Sequence, residues 1–493
     1  MFAEFKKLPL TISLFGLLVL TMFVPVIYGF LSGEIYQGRT FLYAVLLGFF
    51  ILTFVWLASR NNNKQFHRHA NIWAMISFFT VFPLILSIPL NEILVDGEII
   101  DTYLDMVSVF TTTGLKVFPN NYFTDTLLVW RVFLGWTCGF LMWVFAWSIF
   151  FPMKLGGFEL LDKNKNKFNV DNNVFFSPTR LPSERFWNEL IRLAPIYFFI
   201  TLACALGLLL VTRDPFFSIL RAMATIATFG IQIPGKNPTG ISGEFILLLI
   251  MVFAFSRTTA LGPFSKTQFL RIFQDPEVRL GFIIVIVAAI LIFFFLFDTA
   301  GGIHQVLMLS WATLYTCVSF LTTTGLVSEF LAPEARSVIE VNLIFLALAI
   351  FGGGVATTAG GIKLLRIYIL ASHCRSEVNH LLSPAQVINS QKDSLARNNQ
   401  KAVLACIFFM VFILIFALII FCLTLTGSSV QDAGILTLAT MTNTGPVAEQ
   451  ITFNSSLSVE LKPEAKTLLA ISMVLGRLEV LAVMALFNPD IYN

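Results

Sequence analysis

Apolar positions in this chain cluster into long runs, set apart by short polar stretches and by shorter, half-polar segments. About 20 apolar residues in helical form cross a hydrocarbon core about 30 Å thick, so the long runs predict spanning helices. Two of these, over 8–32 and 39–59, come first. Four units of one plan follow, each a long helix, a short half-helix, a glycine turn and a second long helix. The first unit falls at 71–90, 99–110, Gly114 and 127–151, and the second at 188–211, 215–227, Gly230 and 242–262. The third runs through 279–297, 304–320, Gly325 and 337–371, and the fourth through 401–425, 430–441, Gly445 and 464–487. The pattern predicts an all-α polytopic membrane protein with ten transmembrane helices. Two N-terminal helices (1–65) precede repeats over 66–155, 186–272, 276–380 and 398–493, set in a pseudo-fourfold arrangement.

Composition agrees. Of 493 residues 57% are hydrophobic and 12% charged, whereas soluble domains carry about 25% charged residues; the mean hydropathy is +0.81. The net charge of +3 says little as a total, but its distribution orients the chain. Basic residues fall in alternate loops: Lys6 and Lys7; Arg60, Lys64 and Arg68; Lys154 to Arg185; Lys266, Arg271 and Arg279; Lys363 to Lys401. The loops between them carry Glu92, Asp96, Glu98 and Asp101, then Glu329, Glu334 and Glu340, then Glu449, Glu460 and Glu464. The positive-inside rule places both termini in the cytoplasm and the glycine turns towards the opposite face. The run from Leu8 to Phe30 lacks a small-residue cleavage site and reads as a retained first helix. The linker 152–184, with its FELLDKNKNKFNVDNN stretch, reads as a solvated loop. The six cysteines show no metal or redox spacing and read as packing residues, and the 53 phenylalanines as lipid-facing and packing surface.

Candidate chemistry concentrates at the turns Thr111-Thr112-Thr113-Gly114, Thr228-Phe229-Gly230, Thr322-Thr323-Thr324-Gly325 and Thr442-Asn443-Thr444-Gly445. Non-helical backbone at membrane depth is tolerated only where protein buries it or it lines a water-filled cavity. Four such segments of one polarity can share an axis and form a pore. Carbonyls of Thr112, Thr113, Thr228, Phe229, Thr323, Thr324, Asn443 and Thr444 would then cage a dehydrated monovalent cation, with Gly114, Gly230, Gly325 and Gly445 permitting the backbone. The negative ends of the short helices favour a cation there. The plainer reading is four helix C-caps, where glycine is the usual terminator.

A second feature is Gly352-Gly353-Gly354-Val355-Ala356-Thr357-Thr358-Ala359-Gly360-Gly361 inside a predicted spanning helix. Each glycine costs a helix about 1 kcal/mol relative to alanine, so the helix breaks. The result is either a gating loop below the filter or a small-residue helix crossing. Third, Arg477 sits centrally in an apolar helix, where it must face protein or water. It either lies in the pore and repels cations or pairs with a neighbouring helix; Glu479, two positions on, is no intrahelical partner. Asp101, Asp105 and Glu449 either concentrate cations at the outer mouth or are solvated surface. Lys363 and Arg366 read first as lipid-headgroup anchors and second as contacts for a cytoplasmic regulator. His304 and His373 suggest no role. No enzyme signature, cofactor site, nucleic-acid motif or ATP-binding domain is visible.

Three stretches, GGVATTAGGIKLLR (353–366), DAGILTLATMTNTGP (432–446) and LGRLE (475–479), resemble the Trk/Ktr/HKT superfamily of potassium transporters. Within it the chain looks like the bacterial TrkH-like pore subunit, over nearly its whole length and with the two extra N-terminal helices of that branch. The resemblance implies a potassium filter at the four glycines and a gate formed by Gly352, Gly353, Gly354, Thr357, Thr358, Gly360, Gly361 and Arg477. It implies K+ as transported ion and glycine at all four filter positions as the potassium-preferring set, serine in the first favouring sodium. It also implies a homodimer in the bacterial inner membrane and a cytoplasmic nucleotide-binding ring, TrkA-like, that opens the pore. Departures from the family pattern fall at Gly135-Trp136-Thr137-Cys138-Gly139, at Thr228-Phe229-Gly230-Ile231 and at Arg257-Thr258-Thr259-Ala260. The function read here is potassium conduction, either channel-like or as proton or sodium symport. The alternatives are a secondary transporter of another solute and a membrane-embedded enzyme.

Overall fold

The computed structural model describes residues 9–59, 69–94, 98–119, 122–153, 157–160, 182–233, 239–252, 275–297, 302–331, 338–355, 357–382, 399–452 and 461–479. Every regular element among them is helical. Seven helices are long and apolar enough to cross a membrane: Leu10–Ser32, Ile35–Ser59, Asn71–Ile93, Asp125–Met153, Ser183–Thr212, Pro276–Leu296 and Lys401–Leu425. Only 17% of the most apolar stretch of Ile35–Ser59 and 22% of that of Lys401–Leu425 is covered by protein. Side chains such as Leu210 and Leu404 are exposed on such helices. Continuous apolar surface on this scale is stable against lipid, not water, and the chain is a multi-pass membrane protein.

The short helices form where their caps dictate. Asp214 accepts a bond from Phe217 N, and Pro215 occupies the first helical position, so the second begins sharply at Pro215–Ile226. Ser429 caps the fourth, Val430–Met441, through Asp432 N. The first is Ile99–Phe110. The third, Ile303–Leu321, has 19 residues against 12 in each of the others, so it is longer than a half-helix.

Each unit's closing helix packs on the next unit's short helix. Asp125–Phe145 lies on Pro215–Ile226, Gly240–Val252 on Ile303–Leu321, and Ile339–Phe351 on Val430–Met441. The last helix, Pro463–Leu478, returns to the first short helix, Ile99–Phe110. The packing is therefore cyclic, and it brings all four glycine turns to the centre.

Several expectations are corrected. The last helix stops at Leu478, because Glu479 turns to φ +59; Arg477 is in its last turn, not at its centre, and 480–487 lie outside the described residues. The helix from Asp125 passes through a π-helical turn at Ala146–Phe150. The linker does not begin as solvated loop: Phe158 and Leu160 are buried, with Phe158 against the rings of Trp147 and Phe151. Most of the remaining linker, and the Arg257 to Ala260 departure, lie outside the described residues. Cys138, Cys204 and Cys317 are buried as packing residues should be, whereas Cys374 and Cys406 are exposed.

The charged residues are corrected too. Asp105 is fully buried and takes Arg131 Nη2 at 2.5 Å, with that guanidinium 3.9 Å from the Phe123 ring centroid. Asp101 pairs with Lys466. Lys363 and Arg366 do not reach lipid headgroups: Arg366 is fully enclosed and Lys363 nearly so. Burying a charge is costly unless it is paired, which explains why each has a partner, Glu479 for Arg366 and the Ala359 carbonyl for Lys363.

Candidate functional site

All four turns share one backbone. Thr112, Thr228, Thr323 and Asn443 take left-handed φ values of 52°, 52°, 58° and 53°. The amide of the following residue reaches back five positions in each: Thr113 N to Ser108 O (2.8 Å), Phe229 N to Ala224 O (2.8 Å), Thr324 N to Ser319 O (2.9 Å), Thr444 N to Ala439 O (2.8 Å). This is the Schellman closure of a helix end, with threonine or asparagine where glycine is usual. Gly114, Gly230, Gly325 and Gly445 lie two residues further on, past the left-handed position that closes each helix, so the C-cap reading does not account for them, although Gly325 N also reaches Ser319 O at 3.2 Å.

A non-glycine residue held in the left-handed region costs about 1–3 kcal/mol and persists only where its surroundings over-determine it. Here hydroxyls do so. Thr111 Oγ1 donates to Val107 O (2.7 Å) and is hydrogen-bonded to Thr113 Oγ1 (2.7 Å). Thr322 makes the same pair of bonds, to Val318 O and Thr324 Oγ1, and Thr442 to Leu438 O and Thr444 Oγ1. The second turn has Ala227 and Phe229 at these places.

The glycines close a ring in chain order. A Cβ on Gly114 would lie 3.1 Å from Gly230 N, and one on Gly230 2.1 Å from Thr324 O. A Cβ on Gly325 would meet Pro446 Cβ at 2.9 Å, and one on Gly445 would meet Leu115 N at 2.3 Å. Gly445 N also donates to Thr113 O at 2.8 Å, joining the fourth turn to the first. Asn443 Nδ2 adds bonds to Thr113 Oγ1 (2.9 Å) and Met473 O (3.1 Å).

Beneath this ring lies the broken helix. It ends at Phe351 and resumes at Leu364, as the glycines predict. The intervening chain doubles back on itself: a Cβ on Gly352 would fall 2.2 Å from Gly360 O, and Ile362 N bonds to Ile350 O at 3.0 Å. The small residues therefore serve the loop's own reversal and not a helix crossing. Within the loop Thr357 Oγ1 donates to Gly354 O (2.8 Å), and Leu364 N to Gly353 O (3.1 Å); Gly361, at φ 76°, lies against Gly352.

The loop is stitched to the turns. Thr358 O accepts from Thr228 Oγ1 (2.9 Å) and from Arg477 Nη1 (2.6 Å), and Gly360 N donates to Thr323 Oγ1 (2.8 Å). A Cβ on Gly360 would strike Thr442 O at 2.1 Å. From the other side Glu277, fully buried, accepts from Val355 N at 3.2 Å. Arg477 is thus enclosed at the ring, with its Nε and Nη2 lacking protein partners among the described residues, as do Thr112 Oγ1 and Asn443 Oδ1. Water or ions satisfy such groups in folded proteins.

On the opposite side of the ring a depression is lined by Gly114, Lys116, Asp125, Arg131, Gln232 and Glu449. Glu449 accepts from Gln232 Nε2 at 3.1 Å. Of the three outer acidic residues, Glu449 alone lines this depression.

Sequence reasoning missed Glu244. Its carboxylate takes Trp311 Nε1 (2.7 Å), Ser328 Oγ (2.8 Å) and Glu329 N (2.8 Å), and Glu329 in turn takes Thr239 N and Oγ1. The pair braces the segment leaving the third turn. A carboxylate four residues into an apolar helix was its only signal. No group of His, Cys, Asp or Glu that could hold a metal occurs among the described residues.

Comparison with known proteins agrees with this architecture. The family model described as TrkH, cation transport protein, matches residues 246–490. The chain is 25% identical over 491 residues to the Trk system potassium uptake protein TrkH of Escherichia coli K12, covering 97% of this chain and 98% of that one. It is 25% identical to TrkH of Halomonas elongata, covering 99% and 100%. The crystal structure of the potassium transporter TrkH from Vibrio parahaemolyticus shares the fold, with a TM-score of 0.81 at 22% identity over 99% of both chains. The chain belongs to the TrkH family, within the Trk/Ktr/HKT superfamily of potassium transporters.

Proposed function

We propose that this chain is the pore-forming subunit of a potassium uptake system, passing dehydrated K+ through the ring of four turns. The observation that carries the reading is the repetition of one strained backbone at Thr112, Thr228, Thr323 and Asn443, closed into a ring by the glycines. A pseudo-fourfold set of four repeats with ten spans accounts for it: beside the seven long helices, Gly240–Val252, Ile339–Phe351 and Pro463–Leu478 stand as the closing helices of the second, third and fourth units. Carbonyls preceding each glycine replace the ion's hydration shell, and four short helices aim their negative ends at the same place.

The loop 352–361 is the gate, and Arg477 is its catch. A guanidinium bonded to Thr358 O both holds the loop against the turns and sets a positive charge beside the ion path. A homodimer in the inner membrane, both termini cytoplasmic, with a nucleotide-binding ring acting on the loop, completes the reading. The turns all run in one direction along the chain, which weighs against the inverted repeats of many solute carriers.

Rubidium uptake into proteoliposomes, with potassium, sodium and an organic cation as competitors, tests this. Potassium is expected to block uptake and sodium not to, and Gly325→Ser is expected to lose it. Deleting Gly353 and Gly354 is expected to raise uptake by shortening the loop; a carrier for another solute would stay silent to rubidium in every variant.

A further inference from the structure

The second turn lacks the hydroxyl pair that braces the other three, and the structure supplies something in its place. Where the first, third and fourth turns have threonines two residues apart, the second has Ala227 and Phe229. Both side chains press on the neighbouring helix, Asp125–Phe145, at its glycines. A Cβ on Gly135 would lie 2.9, 3.0 and 3.3 Å from Cδ1, Cε1 and Cγ of the Phe229 ring. A Cβ on Gly139 would lie 2.9 Å from Ala227 Cβ and 3.3 Å from the Tyr197 hydroxyl. Gly135 and Gly139 are four residues apart, and so lie one above the other on a single helix face.

The ring of Phe229 is buried at 1% exposure. The Tyr197 hydroxyl is held by Trp136 O at 3.1 Å, which fixes the wall beside Gly139. We infer that Gly135 and Gly139 form a two-notch seat that positions the second turn of the ring by receiving Phe229 and Ala227, replacing the threonine lock of the other turns. The inference rests on the pore reading above. It makes Gly135 and Phe229 positioning residues for ion discrimination, acting through the backbone that carries Thr228 and Gly230. It also couples two segments that depart from the family pattern, 135–139 and 228–231: a large residue in the turn requires a glycine on the helix.

The physical consequence is reciprocal. A methyl on Gly135 would stand 2.9 to 3.3 Å from three atoms of the buried ring and so presses it towards its own backbone. Shrinking residue 229 leaves that methyl room.

The test is rubidium uptake against sodium competition in cells lacking other potassium uptake systems, with membrane abundance measured for every variant. Gly135→Ala is expected to lower the preference for rubidium over sodium about tenfold, a change of about 1.4 kcal/mol. Phe229→Leu alone, which empties the seat, is expected to lower it as well. Joined in one chain the two changes are expected to restore most of the preference, which a merely structural role would not do. If Gly135→Ala fails to reach the membrane, Phe229→Leu and the double variant decide. Unchanged selectivity in Phe229→Leu, or a double variant no better than the worse single one, overturns the inference. Absence of potassium-sensitive rubidium uptake in the unaltered protein would instead remove the pore reading, and the seat's role with it.

Discussion

Gly230→Ser is expected to abolish discrimination between potassium and sodium, by at least about a hundredfold or about 2.8 kcal/mol. The added Cβ would stand 2.1 Å from Thr324 O and 2.4 Å from Pro446 Cγ. Carbon and carbonyl oxygen ordinarily stay beyond about 3.3 Å, so something must move by about 1 Å. Neither neighbour can give way cheaply. Thr324 is fixed through its own amide to Ser319 O and through its hydroxyl to Thr322, and Pro446 has a ring-locked backbone that begins the short helix Pro446–Thr452. The displacement therefore passes into the third and fourth turns as well as the second. A matched control is available in Gly434, in the fourth short helix, where an added Cβ meets nothing within 4 Å. Gly434→Ala is expected to leave selectivity unchanged and to favour the helix by about 1 kcal/mol. Competition of sodium against rubidium uptake, at equal protein abundance, measures both variants. Wild-type selectivity in Gly230→Ser would show that the ring does not set it.

What could be read in advance follows from how local each signal is. Short helices were legible because their starts are written in adjacent residues, as in Asp214-Pro215 and Ser429 with Asp432. The four turn glycines and the break at 352–361 were legible as backbone features because only glycine tolerates such close approaches of backbone to backbone. The strained residue in each turn was not, since a threonine at φ +52° looks like any threonine until the Schellman bonds that force it are formed. Helical spacing separates Glu479 from Arg477, and the two do not pair. The partner of Glu479, Arg366, lies 113 residues away, and no periodicity reports a contact of that range. Likewise Phe229 looked anomalous in isolation, because the glycine that admits it lies on the previous unit's helix. The polar residues followed one pattern: where a charge was expected at the surface, Asp105 at the outer mouth or in solvent and Arg366 at lipid headgroups or a cytoplasmic regulator, cyclic packing enclosed it, and a distant partner became obligatory.

Breaking the Arg366–Glu479 pair from one side is expected to destabilise the protein by about 3–5 kcal/mol. The two side chains meet at 2.6 Å with 0% and 6% exposure, and the guanidinium also lies 3.7 Å from the centroid of Phe408. Arg366→Met removes the positive charge and leaves a buried carboxylate whose partner is gone; Glu479→Met leaves a buried guanidinium. Each single variant is expected to lower the unfolding temperature in detergent sharply. Replacing both with methionine removes both desolvation penalties, and exchanges of this kind are often neutral or stabilising. The double variant is therefore expected to recover most of the loss. Its function should not recover in parallel. The pair joins the first turn of the helix leaving the loop to Glu479, two residues beyond Arg477, so it holds the loop's exit and the arginine that grips Thr358 O in one frame. With the frame gone but the fold intact, the loop is expected to release more often and rubidium flux to rise several-fold without a change in selectivity. Stable single variants would show that the pair is not the buried anchor its geometry describes. A stable double variant with unaltered flux would show that the anchor serves the fold alone, and that the loop is held by its bonds to Thr228, Thr323 and Arg477.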